Sequence, residues 1–305
     1  MKRYILGILL ILITVSLSFS QEIEEIFVSN VSSFIKASTS FLNGFVFSTP
    51  KEIYYFDLQT RKIQKITTIE QKVKDAVITT LTSSEKNLFI GTTKGVLIVD
   101  SKFSVISEVN QNFGLQDNNI TSLYYHNGYL YIGTRFWGVY IFDIENRIIF
   151  KTPITVINGI ADNFIRDINV SYFDQVIASQ EGISILDPIS SIYLTYSSKD
   201  YPILSGNIFS ILADGDNIII GTSVGLFMLN RITEKLTKLL TSSIFSIKKI
   251  GDTLILGTYD GIIFYDLDKN SISTPRNELL KEPLASTISI NQDKVFVGFD
   301  NKRGT

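Results

Sequence analysis

Few side chains in this sequence have the chemistry of a reactive site. There is one histidine, His126, and no cysteine. Thiol nucleophiles, disulfides and Cys/His zinc sites are therefore excluded, and any Ser–His catalysis would have to run through His126. His126 precedes Asn127-Gly128, a tight hairpin signal, which reads it as a turn residue rather than a general base. Asp266-Leu267-Asp268-Lys269-Asn270 alternates oxygen ligands as a calcium loop does. Yet Ser271 stands where such a loop needs Gly, and Asn277 where it needs Glu. Asp57-Leu58-Gln59-Thr60 and Asp143-Ile144-Glu145-Asn146 occupy the same place in other repeats and read as hairpin turns. No metal site and no cofactor are expected. Paired carboxylates for glycoside hydrolysis need only spatial proximity, and no local motif nominates a pair. The segment Arg135-Phe136-Trp137 is different: two adjacent aromatics and a cation in a turn, side chains that anchor interfaces and sugar sites. A plainer reading starts a strand at Trp137, the only Trp, and packs it between sheets.

That turn belongs to a repeat. An apolar run ending in Gly-Thr, then a further Gly, four or five apolar residues and Asp or Asn, recurs along the chain. It reads Phe89-Ile90-Gly91-Thr92 with Gly95 and Asp100, then Tyr131-Ile132-Gly133-Thr134 with Gly138 and Asp143. It returns at Gly221-Thr222 and Gly257-Thr258, and in degenerate form at Ser48-Thr49, Ala178-Ser179 and Gly298-Phe299. The spacing between copies is 36 to 45 residues, and only the third copy carries an inserted residue in its turn. Within each period the apolar runs are short, rich in β-branched and aromatic residues, and bounded by Gly, Asn, Asp and Ser. Four antiparallel strands per period of about 42 residues make the blade of a β-propeller. The expected fold is all-β, with seven blades of four strands. The seventh period holds two strands before the sequence ends at Thr305, so the last blade is expected to be incomplete or closed by Glu22–Ser29 as an added strand.

Hydrophobic residues make up 45% of the chain and charged ones 19%, with a formal net charge of -2, so nucleic acid is not an expected partner. Met1-Lys2-Arg3, the aliphatic run Tyr4–Leu17 and Ser18-Phe19-Ser20 follow the layout of a secretory signal peptide, with cleavage before Gln21. The expected domains are a signal peptide at 1–20 and a propeller at 21–305, extracytoplasmic, with no membrane span after signal cleavage.

The linkers before the first strands carry a second signature. They are Phe113-Gly114-Leu115-Gln116-Asp117-Asn118-Asn119 and Asn158-Gly159-Ile160-Ala161-Asp162-Asn163, with a looser copy at 201–211. Joined to the strand ending in Ile-Gly-Thr, this resembles the repeat of two-component-regulator propellers, the extracytoplasmic sensor propellers of hybrid histidine kinases. The chain departs from that pattern in having Tyr129-Leu130-Tyr131 where the family has a Trp strand, and no Pro in the linker. The resemblance implies a sensor-like, non-enzymatic propeller that binds a small molecule, a glycan or an envelope protein. The alternatives are a polysaccharide hydrolase or lyase on a propeller scaffold, and a structural or decayed envelope protein. Linkers and Gly-Thr turns are expected to emerge at the same end of the blades. That would gather Asp117, Asn118, Asp162 and Asn163 with Arg135, Phe136, Trp137, Tyr259 and Asp260 as the binding residues.

Overall fold

The computed structural model describes residues 8–14, 22–28, 34–150, 152–171, 174–187, 189–204, 208–275, 284–292 and 294–300. Among these, regular structure is strand apart from the short helix Glu70–Val73 and four 3₁₀ turns. No described helix is long and apolar enough to cross a membrane. Six four-stranded sheets follow one another, each built from consecutive strands. The third comprises Ile120–His126, Tyr129–Thr134, Val139–Asp143 and Ile148–Ile149, and the fourth Ile165–Val170, Gln175–Ser179, Gly182–Leu186 and Tyr193–Ser197, all antiparallel. This repeated meander is the β-propeller blade that the period predicts.

Packing divides the chain into two compact units, one of residues 1–88, 100–104 and 245–305, the other of 89–99 and 105–244. In the second unit, Phe89, Val96, Ile98, Leu123, Ile132, Tyr140 and Phe142 form a buried layer, and Ile165, Ile168, Val139 and Ile177 another. In the first unit, Phe45, Phe47, Phe56 and Phe296 form a buried aromatic layer. Middle strands are therefore apolar on both faces: Leu88–Thr92 is buried at all five positions. Fourth strands such as Lys62–Lys65 and Ser271–Ser273 are mostly exposed and carry the polar residues. The glycine of Ile-Gly-Thr makes this layering possible. A Cβ on Gly133 would lie 2.7 Å from Ile165 Cγ2 of the fourth blade.

Three first strands of the second unit share one irregularity. Their register slips between Ile120 and Ser122, Ile165 and Asp167, and Ile208 and Ser210, leaving Thr121, Arg166 and Phe209 at bulges. A bulge re-aims its side chain out of the regular alternation. At Asp167 the polar residue after the bulge links neighbouring blades. Its carboxylate accepts from Ser122 Oγ at 3.4 Å and from the Ile211 amide at 2.9 Å.

Two expectations are corrected here. Blades of consecutive strands number six, not seven, because the seventh period supplies only Leu284–Asn291 and Lys294–Asp300. A composite four-stranded sheet forms around them. The strand beside Lys294–Asp300 is Ile8–Thr14, with Glu22–Val28 outside it, so the N-terminal contribution is two strands rather than one. An aliphatic run rich in Ile suits a strand as well as a signal peptide, and an open sheet edge offers unpaired backbone groups to any extended segment. Ser18–Gln21, where cleavage is expected, lies outside the described residues.

Candidate functional site

The Gly-Thr turns share one lock. In the second, fifth and sixth repeats Thr92, Thr222 and Thr258 each donate a hydroxyl to the carbonyl of the glycine three residues on, at 2.9–3.0 Å. The same oxygens accept the amides of Lys94, Val224 and Asp260, two residues on. The third repeat keeps the lock and lengthens it. Thr134 Oγ1 donates to the Gly138 carbonyl at 2.9 Å and accepts from the Trp137 amide at 3.1 Å. The insertion leaves one more amide, that of Phe136, which donates to Asp117 Oδ2 at 2.8 Å. Asp117 Oδ1 accepts from the Asn119 amide at 2.8 Å, and the Arg135 amide donates to the Asn119 carbonyl at 3.1 Å. The turn is thus clamped to the linker of its own blade.

It is clamped to the next linker as well, since the Gly138 amide donates to the Asn163 carbonyl at 3.0 Å. The second repeat repeats this bond from Gly95 to Asn118 at 2.8 Å. The linker signature has a structural origin. Gly114 and Gly159, at φ 118° and 99°, end the 3₁₀ turns Gln111–Phe113 and Val156–Asn158. Leu115 and Ile160 are buried beneath them. Asn118 Oδ1 and Asn163 Oδ1 accept the amides of Gln111 and Val156, which open those turns. Two residues expected at the binding surface, Asn118 and Asn163, therefore use their side-chain oxygens to shape the linker. Asp162 likewise accepts the Asn163 amide at 2.6 Å.

Side chains of the inserted turn stand out into solvent. Phe136 is 62% exposed and Trp137 44%. The next strand begins at Val139, so Trp137 precedes it instead of opening it. Phe164 and Arg166, which the sequence reading did not single out, complete the cluster. The Arg166 guanidinium lies 4.2 Å from the centroid of the Phe164 ring, and the Arg135 guanidinium 5.6 Å from that ring and 5.5 Å from Phe136. Arg166 also bonds Gln180 Oε1. Burial and the neighbouring Arg135 push the Arg166 pKa below its ordinary value, and Asp162 opposes them. The signal for both residues was present. Phe164 falls where the third repeat has Asn119, and Arg166 occupies the bulge where other repeats place Thr121 or Phe209.

The structure thus brings Asp117, Asn118, Arg135, Phe136, Trp137, Asp162 and Asn163 into one network of the second unit. Tyr259 and Asp260 belong to the first unit. Tyr259 is 52% exposed there, and the Asp260 amide closes its own Thr258 lock. The other chemical candidates resolve into turns. Lys269 donates its amide to Asp266 Oδ1 at 2.9 Å and its ammonium to Oδ2 at 2.6 Å, while Asp57 and Asp143 accept the amides of Thr60 and Asn146. His126 pairs with Tyr129 across Asn127-Gly128.

Solved structures with this architecture are numerous. The extracellular domain ascribed to a hybrid two-component system, BT4673 of B. thetaiotaomicron, aligns with a TM-score of 0.72 at 17% identity over 90% of this chain and 38% of its own. The corresponding domain of BT3049 gives 0.68 at 20% identity over 88% and 40%. PorZ, a surface component of the type-IX secretion system of Porphyromonas gingivalis, gives 0.64 at 13% identity over 87% and 35%. The fold is a β-propeller. The resemblance read from the repeat is met at the level of fold by the BT4673 and BT3049 extracellular domains, and the chain spans about two fifths of their length. No family model and no curated protein matches the sequence.

Proposed function

We propose that this chain is an extracytoplasmic, sensor-like propeller that binds its ligand at the inserted turn of the third repeat. The observation that carries the reading is the pairing of exposure with rigidity. Phe136 and Trp137 stand in solvent on a turn whose Thr134, Arg135, Phe136, Trp137 and Gly138 amides all have backbone or side-chain acceptors. Exposed aromatics carried on a backbone that is already ordered lose less entropy when a ligand covers them. The likeness to extracellular sensor domains supports the location and the role. Trp137 is the sole Trp, so its fluorescence reports on this turn alone. Titration with a panel of oligosaccharides and small metabolites should find a compound that shifts its emission saturably. A compound that binds by calorimetry yet leaves the emission unchanged would move the site elsewhere.

Export follows the same reading. Signal cleavage before Gln21 removes Ile8–Thr14 and frees the edge of Lys294–Asp300, which Glu22–Val28 then takes over. N-terminal sequencing of the exported protein should begin at Gln21. A mature chain that retains residues 8–14 rejects the exchange.

A further inference from the structure

We propose that Phe164 is a positioning residue of the inserted turn: through the Arg135 guanidinium, this side chain of the fourth blade sets the direction of the Phe136 ring in the third. This rests on the reading of that turn as the binding site and adds how its aromatic face is fixed. The backbone bonds of the turn do not fix it. They hold the Phe136 amide on Asp117 and the Trp137 amide on Thr134, while a ring 62% exposed can still hop between staggered rotamers. Arg135 bears on that ring. Its guanidinium lies 5.5 Å from the Phe136 centroid and 5.6 Å from that of Phe164, so one cation bridges rings of two blades. A cation is drawn to the π face of a ring, which favours one direction of the ring over the others. A ring already directed loses less freedom when a ligand covers it. The far end of the bridge is anchored. Phe164 is partly buried, and its carbonyl accepts the Gln180 amide at 2.9 Å. The residue before it takes the Gly138 amide of the turn at 3.0 Å. Arg166, 4.2 Å from the Phe164 ring, is itself held by Gln180 Oε1 and by the charge of Asp162. Two departures from the repeat meet here: the lengthened turn that carries Phe136, and a ring where the preceding linker has Asn119. Each is needed for the bridge, since Asn at 164 would leave Arg135 no second face.

The test follows the ring without a ligand. Phe136→Trp combined with Trp137→Phe moves the sole Trp to the position in question, and an indole takes a cation at least as well as a phenyl ring. Time-resolved anisotropy of the full chain then reports local rotation there. Adding Phe164→Leu, which keeps apolar bulk and loses the π face, should raise the amplitude of the nanosecond component about twofold in a protein that still melts cooperatively. Phe164→Tyr should keep the parent value. Arg135→Gln, on the exposed turn, should give the same rise by itself, and Phe164→Leu should then add nothing to it. An unchanged amplitude in folded Phe164→Leu, or a rise just as large in the Arg135→Gln background as without it, overturns the proposal. Should a Phe164 variant fail to fold, Arg135→Gln reads the bridge from its other end, and an unchanged amplitude there overturns it equally. No compound enters these measurements. Their failure therefore leaves the turn standing as the binding site, whereas a compound panel that finds nothing counts against the site and leaves the bridge intact.

Discussion

The turns of the third and fifth repeats start from the same threonine lock and end in different surfaces. In the fifth, Thr222 reaches Gly225 across Ser223 and Val224, and both bonds of its hydroxyl stay inside the turn. In the third, one extra residue moves the internal amide from the second position to the third, so the second must find an acceptor outside. Asp117 provides it from the linker, whereas the second-position amide of the fifth repeat, that of Val224, stays on Thr222. The difference shows how a repeat acquires a site without losing its fold. The lock and the glycine stay, the insertion projects outward, and a neighbouring linker absorbs the backbone group it creates.

The largest expected effect falls on what the two turns share. Gly138 sits at φ +69°, and a Cβ there would lie 2.0 Å from the Ile154 carbonyl. Gly138→Ala combines left-handed strain with a backbone clash, and a loss on the order of 3 kcal/mol or more is expected in urea denaturation. Gly128→Ala is the control, since its φ is +85° but a Cβ meets nothing within 4 Å. It should cost about 1 kcal/mol, the strain alone. Comparable losses at the two positions would show that conformation, not close approach, sets the requirement.

A smaller effect separates the turns. Asp117→Ala removes acceptors from two amides, one of them created by the insertion, and should cost about 1–2 kcal/mol. Asp162→Ala, at the matching place of the next linker, removes the acceptor of the Asn163 amide and should cost about half as much. Losses of equal size would mean that the Phe136 amide finds water just as readily, and the outside anchor would lose its meaning.

Most of the architecture could be read from the sequence, because the signals were local and repeated. Gly133, Thr134 and Gly138 have counterparts at their spacing in several blades, where a layer contact, a hydroxyl lock and a left-handed residue are needed. The linker signature was read as recognition. In the structure its Gly ends a 3₁₀ turn and its Asn side chain opens the same turn, so Asn118 and Asn163 serve the repeat first. Phe164 and Arg166 stand out from the repeat by residue type, but they join the site through a bulge and a neighbouring blade, and that placement no local spacing encodes. The blade count failed for a similar reason. Pairing between Ile8–Thr14 and Lys294–Asp300 links opposite ends of the chain, and a periodic pattern carries no information about that edge.

The smallest effect expected on stability is also the one that bears most directly on the site. Trp137 is the largest side chain of the inserted turn, and truncating a buried Trp costs about 3–5 kcal/mol. Here the indole is 44% exposed, while the turn is held by the Thr134 hydroxyl, the Asp117 carboxylate and the Asn163 carbonyl, none of which the substitution touches. Trp137→Ala should therefore shift stability by less than about 1 kcal/mol when followed by circular dichroism, since the variant has no Trp left to fluoresce. Phe142→Ala, in the strand that follows the turn and fully buried, should lose several times more. With the fold intact, the same Trp137→Ala protein should lose most of its affinity for whichever compound shifts the wild-type emission. Should its stability instead fall as far as that of Phe142→Ala, the indole would be part of the packing between blades, and the contrast between the two turns would be one of core design rather than of recognition.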